Sequence, residues 1–358
     1  MAAYGGTGSI SGSSYGDLSK NDAFTIQKKM LPIAKRLLTF AKFAQKETKP
    51  QKQGLEIRHR RYERFPIVDT PVAEGVTPDF SSLEHTTLMH TLKQFGSYVN
   101  TTDVQLAAAA DPVLKIISER QATQAGETID FLSFKTFRAG TQVKYVGTGA
   151  TARGHVDNHI GNKQPVLGSP GGNTPTLGAI QTAIRALENN DAGKLKSKLK
   201  ASVGVATEPI RESYIAICHP DLRQDIQALP DFVSVEKYSS QGDVIEGEIG
   251  GVEGVRFITT TQAVPFKDAG DTAGIGNCVS TSGVNADVYP VLILAEDAIG
   301  CATLGGMDSL RSKVVMPKPG PGDPLGQRGT VAWDTFYSCI ILQDLWMYRL
   351  EVACTKLS

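Results

Sequence analysis

Two stretches of the chain space their apolar residues at the period of an α-helix. Such residues recur every three or four positions from Ile26 to Phe43 and again from Val104 to Phe137. In the second stretch, Asp111–Pro112 suits a helix start, with the aspartate as cap and the proline at the first helical position. We therefore predict a long helix over 104–137, restarted or kinked at this pair, and a shorter basic helix over 26–43.

Between these helices the pattern changes to a period of two. Leu55 to Ile67 alternates in the manner of a β-strand, yet arginines fill one of its faces. Burying unpaired arginines is costly, so this face has to lie outside the subunit's own core. A second extended stretch, Thr86–Val99, follows a loop rich in proline and glycine. We predict that the two stretches form a long hairpin projecting from the body, its arginine face against solvent, nucleic acid or another subunit.

The second half of the chain mixes helical and strand-like patterns, which is typical of an α/β domain. Helices are predicted after Thr174–Pro175 and after the turn His219–Pro220–Asp221, each with leucine and isoleucine on one stripe. Strands are predicted from alternating or wholly apolar runs at 142–146, 214–218, 250–260, 289–294 and 346–353. Two further helices are predicted at 296–302 and 333–342, separated by a Pro/Gly loop at 316–329.

The charge of the chain is polarised although its total is zero. The 358 residues include 37 Lys+Arg and 37 Asp+Glu. Residues 28–64 alone hold twelve basic and three acidic residues, a net of +9, so the remainder carries −9. The zero total excludes a histone-like protein, whereas the split offers complementary surfaces to neighbouring copies. Residues 1–20 are rich in glycine and serine and are predicted to form a flexible arm rather than a secretory signal.

No catalytic or metal-binding pattern emerges. The five cysteines form no CxxC pair, which argues against a disulfide scaffold or zinc site and for a reducing compartment. Gly147–Gly154 lacks the third glycine of a dinucleotide loop and the lysine of a Walker loop. His219 stands at a strand-to-helix turn without a recognisable acid–base partner, and His155 and His159 lack a third ligand. No apolar run is long enough to span a membrane. We expect no enzyme activity, no cofactor and no membrane partner.

One segment carries a resemblance to a known family. Residues 213–266 run from a strand through His219–Pro220 into a helix that closes near Leu229–Pro230, then through a glycine run at 247–254 to Val255-Arg256-Phe257. This segment, together with 289–300, resembles the signature region of the podovirus-type major capsid proteins of tailed phages. The resemblance implies an α+β Hong Kong 97-like capsid fold with an N-terminal arm, an extended β-hairpin loop, a peripheral domain with a long spine helix, and an α/β axial domain.

The resemblance also implies a division of the chain. Residues 1–50 would be the N-terminal arm with its basic helix, 51–101 the extended loop, and 102–179 the peripheral domain. Residues 180–312 would be the axial domain, and 313–358 the C-terminal return to the body of the fold. The long helix and the hairpin follow from periodicity alone, whereas these domain roles come from the resemblance.

The function implied is that of a major capsid protein that assembles into hexamers and pentamers of an icosahedral shell around double-stranded phage DNA. Its expected partners are further copies of itself, the packaged DNA, the portal, and scaffolding or decoration proteins. Its expected location is the virion, after assembly in the host cytoplasm. A nucleic-acid-binding protein using 28–64 and, behind it, an α/β enzyme remain the alternatives. The hypothesised inter-subunit contacts lie on the predicted hairpin: Arg58, Arg60, Arg61, Tyr62 and Arg64.

Overall fold

The structure is a computed structural model that describes residues 38–356, apart from 66, 70, 72–73, 76, 78–79, 105–112, 148–149, 158, 161–176, 196–211, 239–243, 273–277, 306–309 and 320–321. The predicted flexible arm at 1–20, most of the predicted helix at 26–43 and the Asp111–Pro112 pair lie outside the described residues. At the end of that basic helix the described chain forms a short 3₁₀ turn, Phe40–Lys42.

Two sheets and a hairpin account for the strands of the described chain. Their bounds are β1 Gln45–Lys49, β2 Glu56–Tyr62, β3 His85–Thr91, β4 Lys93–Thr102, β5 Val143–Tyr145, β6 Tyr214–Cys218, β7 Val233–Ser234, β8 Glu248–Val252, β9 Val255–Thr259, β10 Val288–Leu294, β11 Ile299–Leu304, β12 Arg311–Val315, β13 Arg328–Ile341 and β14 Met347–Ala353. The α-helices are α1 Val113–Phe137, α2 Gly178–Asn189 and the short α3 Arg223–Gln227.

A seven-stranded mixed sheet forms the larger core. Its order is β5-β14-β10-β6-β9-β8-β7, and every residue of β6, β10 and β14 is buried. Both faces are covered, which is why β6 and β10 read as continuous apolar runs, whereas β14 also buries Arg349 and Glu351. Tyr214, Ala216 and Cys218 face the side of helices α2 and α3, whereas Ile215 and Ile217 face the end of α1. The sequence predictions for β6, β10, β14, α2 and α3 are confirmed.

The second sheet is organised by one long strand, β13. Along one edge β13 pairs with β4, and along the other it pairs with β11 and β12, while β1 adds to β11 in parallel. Alternate residues of β13 turn towards helix α1: the Gln121 amide donates to the Val331 carbonyl, and the Trp333 indole N–H donates to Gln124 Oε1 over 3.2 Å. The sheet and the helix thus share one packed layer.

Two predicted helices are strands. The helix predicted at 333–342 is wrong because its aromatic and β-branched residues belong to β13, where they alternate between the α1 side and the other face. The helix predicted at 296–302 is wrong because Asp297 adopts a positive φ of 55°, which stops a right-handed helix and turns the chain into β11. Tertiary pairing with β13 then holds 299–304 extended.

The predicted hairpin is shorter than its sequence pattern. β2 and β3 pair in antiparallel register from Glu56↔Thr91 to Tyr62↔His85. At Leu92 the chain leaves the hairpin, and β4 pairs with β13 over ten positions instead. The prediction that Thr86–Val99 pairs throughout with Leu55–Ile67 is therefore wrong for its last part, because Leu92 is buried at the junction beside Ile57 and Ala302. The helix predicted at 104–137 is confirmed over 113–137.

Candidate subunit interface

The two faces of the hairpin have opposite roles. Because directly opposed residues in an antiparallel pair share a face, Ile57 with His90, His59 with Leu88, and Arg61 with Thr86 lie on one side. Arg58 with Met89, Arg60 with Thr87, and Tyr62 with His85 lie on the other. The first set is buried or half-buried apart from Thr86, whereas every member of the second set is exposed. We call them the inner face and the outer face of the hairpin.

The inner face docks on the subunit's own body. Ile57 and Leu92 are buried in a small apolar cluster with Ala302, and Leu304 packs against it. His90 Nδ1 lies 2.9 Å from Ser338 Oγ on β13. Arg61 donates to the Leu342 carbonyl over 3.3 Å and also to the side chain of Gln343. The hairpin is therefore fixed at its root and along one side.

The outer face presents cations and apolar surface together. Among the described residues, Arg58 forms an ion pair only with Glu56 on its own strand, at 3.6 Å, and both side chains are about two-thirds exposed, 64% and 66%. Arg60 forms no ion pair with any residue that the structure describes. Between and beside these arginines, Tyr62 is 56% and Met89 is 60% exposed. Such a combination of arginine, tyrosine and methionine is typical of protein interfaces.

Two of the five predicted contact residues are used within the subunit. Arg61 lies on the inner face, where it also pairs with Glu63 at 3.1 Å. Arg64 follows the end of β2 and pairs with Asp191 at 2.5 Å, with both side chains largely exposed. The alternation of β2 separates Arg61 from Arg58 and Arg60, but partners from distant parts of the chain could not be read from it. The other three, Arg58, Arg60 and Tyr62, lie on the exposed outer face, where Arg58 pairs with Glu56 and Tyr62 lies beside His85.

The hairpin continues into an apolar distal loop. In the described part of residues 63–84, large side chains stand in solvent, with Ile67 95% and Phe80 93% exposed. Phe65, Val68 and Leu83 are also exposed. Isolated surface apolar residues are ordinary, but several on one projecting loop indicate a surface that a partner covers.

The positions considered for enzyme chemistry have structural roles. His219 Nδ1 accepts from the Asp221 N–H at the start of a 3₁₀ turn, and Asp221 Oδ2 lies 3.1 Å from the same nitrogen. The Tyr289 hydroxyl donates to Asp221 over 2.9 Å. Asp221, an acidic neighbour that the sequence analysis did not recognise, thus lies two residues along from His219 in a helix-capping cluster. A signal for it was present in the His-Pro-Asp turn itself.

Of the glycine-rich loop at 147–154, the structure describes Gly147 and residues 150–154. A Cβ at Gly147 would lie 2.5 Å from the His155 carbonyl oxygen, whereas a Cβ at Gly154 would meet nothing within 4 Å. Arg153 from this loop binds Glu351 on β14 through two hydrogen bonds of 2.6 and 2.8 Å. His155 is exposed while His159 is buried, and no group of three or more possible metal ligands was found among the described residues.

No helix in the described part of the chain is both long and apolar enough to cross a membrane. That finding agrees with the sequence analysis, which found no apolar run of spanning length.

Comparison with known structures identifies the fold. The capsid structure of the Cyanophage P-SCSP1u has a TM-score of 0.56 with this chain at 14% identity and 89% coverage of both chains. The capsid of Ralstonia phage GP4 has a TM-score of 0.57 at 13% identity and 88% coverage of both. The architecture is that of the Hong Kong 97-like α+β capsid fold, as the resemblance implied.

Comparison with known sequences identifies the family. The major capsid protein of Pseudomonas phage KPP21 is 25% identical over 182 residues, which span 46% of this chain and 45% of that protein. The chain thus aligns with about half the length of this curated relative. A family model described as phage capsid protein matches residues 85–344, from β3 to the turn before β14. Because this match covers well over half of the sequence, the chain belongs to the phage capsid protein family.

Proposed function

We propose that the chain is a major capsid protein whose copies assemble into hexamers and pentamers of an icosahedral shell around double-stranded phage DNA. The observation that carries this proposal is the outer face of the hairpin. The hairpin docks on the subunit through its inner face, and its outer face exposes arginine, tyrosine and methionine, where Arg58 meets Glu56 and Tyr62 lies beside His85. Membership of the phage capsid protein family supports it.

The contact we propose joins the outer face to an acidic surface of the adjacent subunit. Residues 28–64 carry a net charge of +9 and the rest of the chain −9, so a basic segment of one copy can meet acidic residues of the next. One exposed ion pair contributes only about 0.2–1 kcal/mol. A closed ring repeats the contact in every subunit, so that weak pairs add up while single contacts remain reversible. Arg58, Arg60 and Tyr62 carry this contact, with Arg61 and Arg64 fixing the hairpin behind them.

The domain roles are part of the same proposal. Residues 1–50 serve as arm, 51–101 as extended loop, 102–179 as peripheral domain with α1 as spine helix, 180–312 as axial domain, and 313–358 as the return to the body. The part of the loop interval that forms β4 anchors the loop, since it pairs with β13 rather than with the hairpin. The subunit acts without cofactor or catalysis.

The remaining partners follow from the role of a shell. The inner surface meets packaged DNA without sequence preference, and the shell joins a portal and scaffolding or decoration proteins. Assembly takes place in the host cytoplasm, and the product resides in the virion. The alternative of a dedicated nucleic-acid-binding protein is disfavoured because Arg61 and Arg64, two of its candidate cations, are paired within the subunit.

The test is charge reversal of the outer face. The double variant Arg58→Glu/Arg60→Glu should remain a folded, soluble subunit, because neither side chain packs in the core. It should fail to form shells or hexamer-like rings in negative-stain images and in sedimentation. The matched control is Arg58→Lys/Arg60→Lys, which keeps both charges and should assemble, with greater sensitivity to salt.

Shells formed at the usual rate by the Glu double variant would remove this face from the assembly mechanism. A wild-type protein that never forms particles but binds duplex DNA with a steep salt dependence would instead favour the nucleic-acid-binding alternative.

A further inference from the structure

Two histidines face each other across the root of the hairpin. His59 on β2 and His90 on β3 bring their Nε2 atoms to 3.2 Å, with ring centroids 5.2 Å apart. Each is also tied to the body: His59 Nε2 lies 3.2 Å from Glu47 Oε2 on β1, and His90 Nδ1 lies 2.9 Å from Ser338 Oγ on β13. The pair therefore stands between the hairpin and the sheet that carries it.

The short distance between the two Nε2 atoms limits how many protons the pair can hold. A neutral imidazole has one N–H donor and one acceptor nitrogen, whereas a protonated one has two donors. Glu47 accepts only, so the proton belongs on His59 Nε2, from which it reaches both Glu47 and the free nitrogen of His90. His90 then donates from Nδ1 to Ser338. Every polar atom at the contact is satisfied in this neutral arrangement.

The two rings differ in how the structure accommodates their charged forms. A charged His59 ring has the Glu47 carboxylate beside it, with Oε2 3.2 Å from Nε2. Protonation of His90 Nε2 would set two N–H groups against each other at 3.2 Å. Since neither can accept, the two rings would have to separate.

Among the described residues, the charged groups nearest to the pair on each packed element have other partners or lie beside His59. From the hairpin, Arg61 points at the 342–343 turn and is paired with Glu63. From β13, the group that meets His90 is the neutral hydroxyl of Ser338. From β1, Glu47 contacts His59 rather than His90. Burial together with the charge of His59 accordingly lowers the pKa of His90 from 6.5 to about 4.

We propose that the His59–His90 pair is an acid-sensitive hinge that docks the hairpin on the subunit body at neutral pH and releases it in acid. Its effect on assembly rests on the proposed function of the hairpin, but the hinge itself is a property of the single subunit. A histidine whose pKa is depressed by docking stabilises the docked form fully above pH 6.5 and progressively less below it. Below pH 6.5 the docking equilibrium should weaken progressively, with about tenfold per pH unit as the limit for one proton, and solvent around the half-buried ring reduces the total effect.

The hinge can be measured on the unassembled full chain. Backbone hydrogen exchange of peptides covering β11 and residues 337–343, which the hairpin contacts, is followed from pH 8 to pH 4.5. Protection factors are corrected for intrinsic exchange and compared with β6, which the hairpin does not touch. We expect protection at the hairpin contact to fall progressively below pH 6.5, by at most about tenfold per pH unit, with β6 unchanged. In the same samples the His90 ring signal should titrate well below pH 6.5.

Matched histidine variants decide whether His90 is responsible. His90→Gln keeps a donor and an acceptor but cannot be charged, so protection should lose its acid dependence while the hairpin stays docked. His85→Gln changes an exposed histidine on the outer face of the same strand and should behave as wild type. A His90→Gln protein with the wild-type acid dependence, or a wild-type protein whose protection does not change, would overturn the hinge.

A second variant covers the case in which His90→Gln fails to fold. His59→Gln removes the ring that faces His90 Nε2 and whose charge helps to depress the pKa of His90, so the acid dependence of protection should be weaker than in wild type. An acid dependence as steep as that of wild type contradicts the proposal. Failure of the wild-type protein to form shells would count against the proposed function but leave this subunit measurement intact.

Discussion

The seven-stranded sheet and the hairpin differ in how much of their side-chain surface the subunit itself buries. In β6, β10 and β14 every residue is buried, with side chains covered on both faces of the sheet. In β2 and β3, by contrast, Ile57 is the buried residue and most others are exposed. The sheet is therefore stabilised by its own subunit, whereas the hairpin retains one face for a partner.

The same contrast holds for ion pairs of identical chemistry. Arg256 and Glu248 are 1% and 0% exposed and meet through hydrogen bonds of 2.5 and 2.6 Å. The Tyr238 hydroxyl and the Ile245 N–H also donate to that carboxylate. Arg58 and Glu56 approach to 3.6 Å in solvent. Loss of one partner should matter greatly in the first pair and little in the second.

The largest expected effect is that of removing the buried carboxylate. Glu248→Gln removes the buried carboxylate that accepts two hydrogen bonds from the Arg256 guanidinium, so the free energy of unfolding should fall by about 3–5 kcal/mol. Glu56→Gln, its matched control on the hairpin, should change it by less than about 1 kcal/mol. Urea unfolding followed by circular dichroism measures both.

Similar losses in the two glutamine variants would contradict the comparison. They would mean that the hairpin is as much part of the cooperative core as the sheet is. A Glu248→Gln protein as stable as wild type would show that the buried pair is replaceable by neutral packing, as happens at some buried salt bridges.

The sequence identified the core better than it identified the peripheral sheet, for a physical reason. Runs such as 214–218 are apolar on both faces, and turn residues bound them, so strand and helix differ clearly in length and composition. Residues 333–342 mix aromatic, polar and β-branched side chains that fit either state. These residues form a strand because they pair with β4, β11 and β12, which come from distant parts of the chain.

The candidate interface was predicted in part. Alternation along the strand shows which residues share a face, but what a face contacts depends on long-range packing. Period-two alternation was enough to place Arg58 and Arg60 on one face of a strand. It also placed His59 and Arg61 on the opposite face. The contacts of His59 with His90, and of Arg61 with the 342–343 turn, join residues at least 31 positions apart. A local sequence pattern cannot predict such contacts.

The next largest effect is expected in the pH dependence of stability, through Asp130 in the body of the subunit. Asp130 on α1 is fully buried and accepts the N–H groups of Thr39 and Phe40 at 2.8 Å each, while its Oδ2 has no partner. Burial raises its pKa from 3.8 to about 6, although those N–H groups act in the opposite direction. The folded state therefore holds the proton more tightly. The stability that this provides is complete below pH 3.8 and is lost as the pH rises through 6.

The size of this effect is about 2–3 kcal/mol in the free energy of unfolding. Asp130→Asn cannot ionise, so its stability relative to wild type should improve by that amount between pH 4 and pH 7. Urea midpoints across this range measure the difference. A constant difference would show that Asp130 is ionised throughout and that its N–H partners outweigh its burial.

The smallest effect on the subunit is expected at the distal loop. Ile67 and Phe80 are 95% and 93% exposed, so replacing both with serine removes no packing from the described fold. The free energy of unfolding should change by less than about 0.5 kcal/mol per site. If the loop is covered by a neighbouring copy in the shell, the same variant should lower the stability of assembled particles, because repeated apolar contacts are lost. Urea unfolding of the subunit and heat disruption of particles, run side by side, separate the two. A variant that weakens both equally would place these side chains in the subunit's own core, whereas one that weakens neither would leave the loop in solvent on the finished shell.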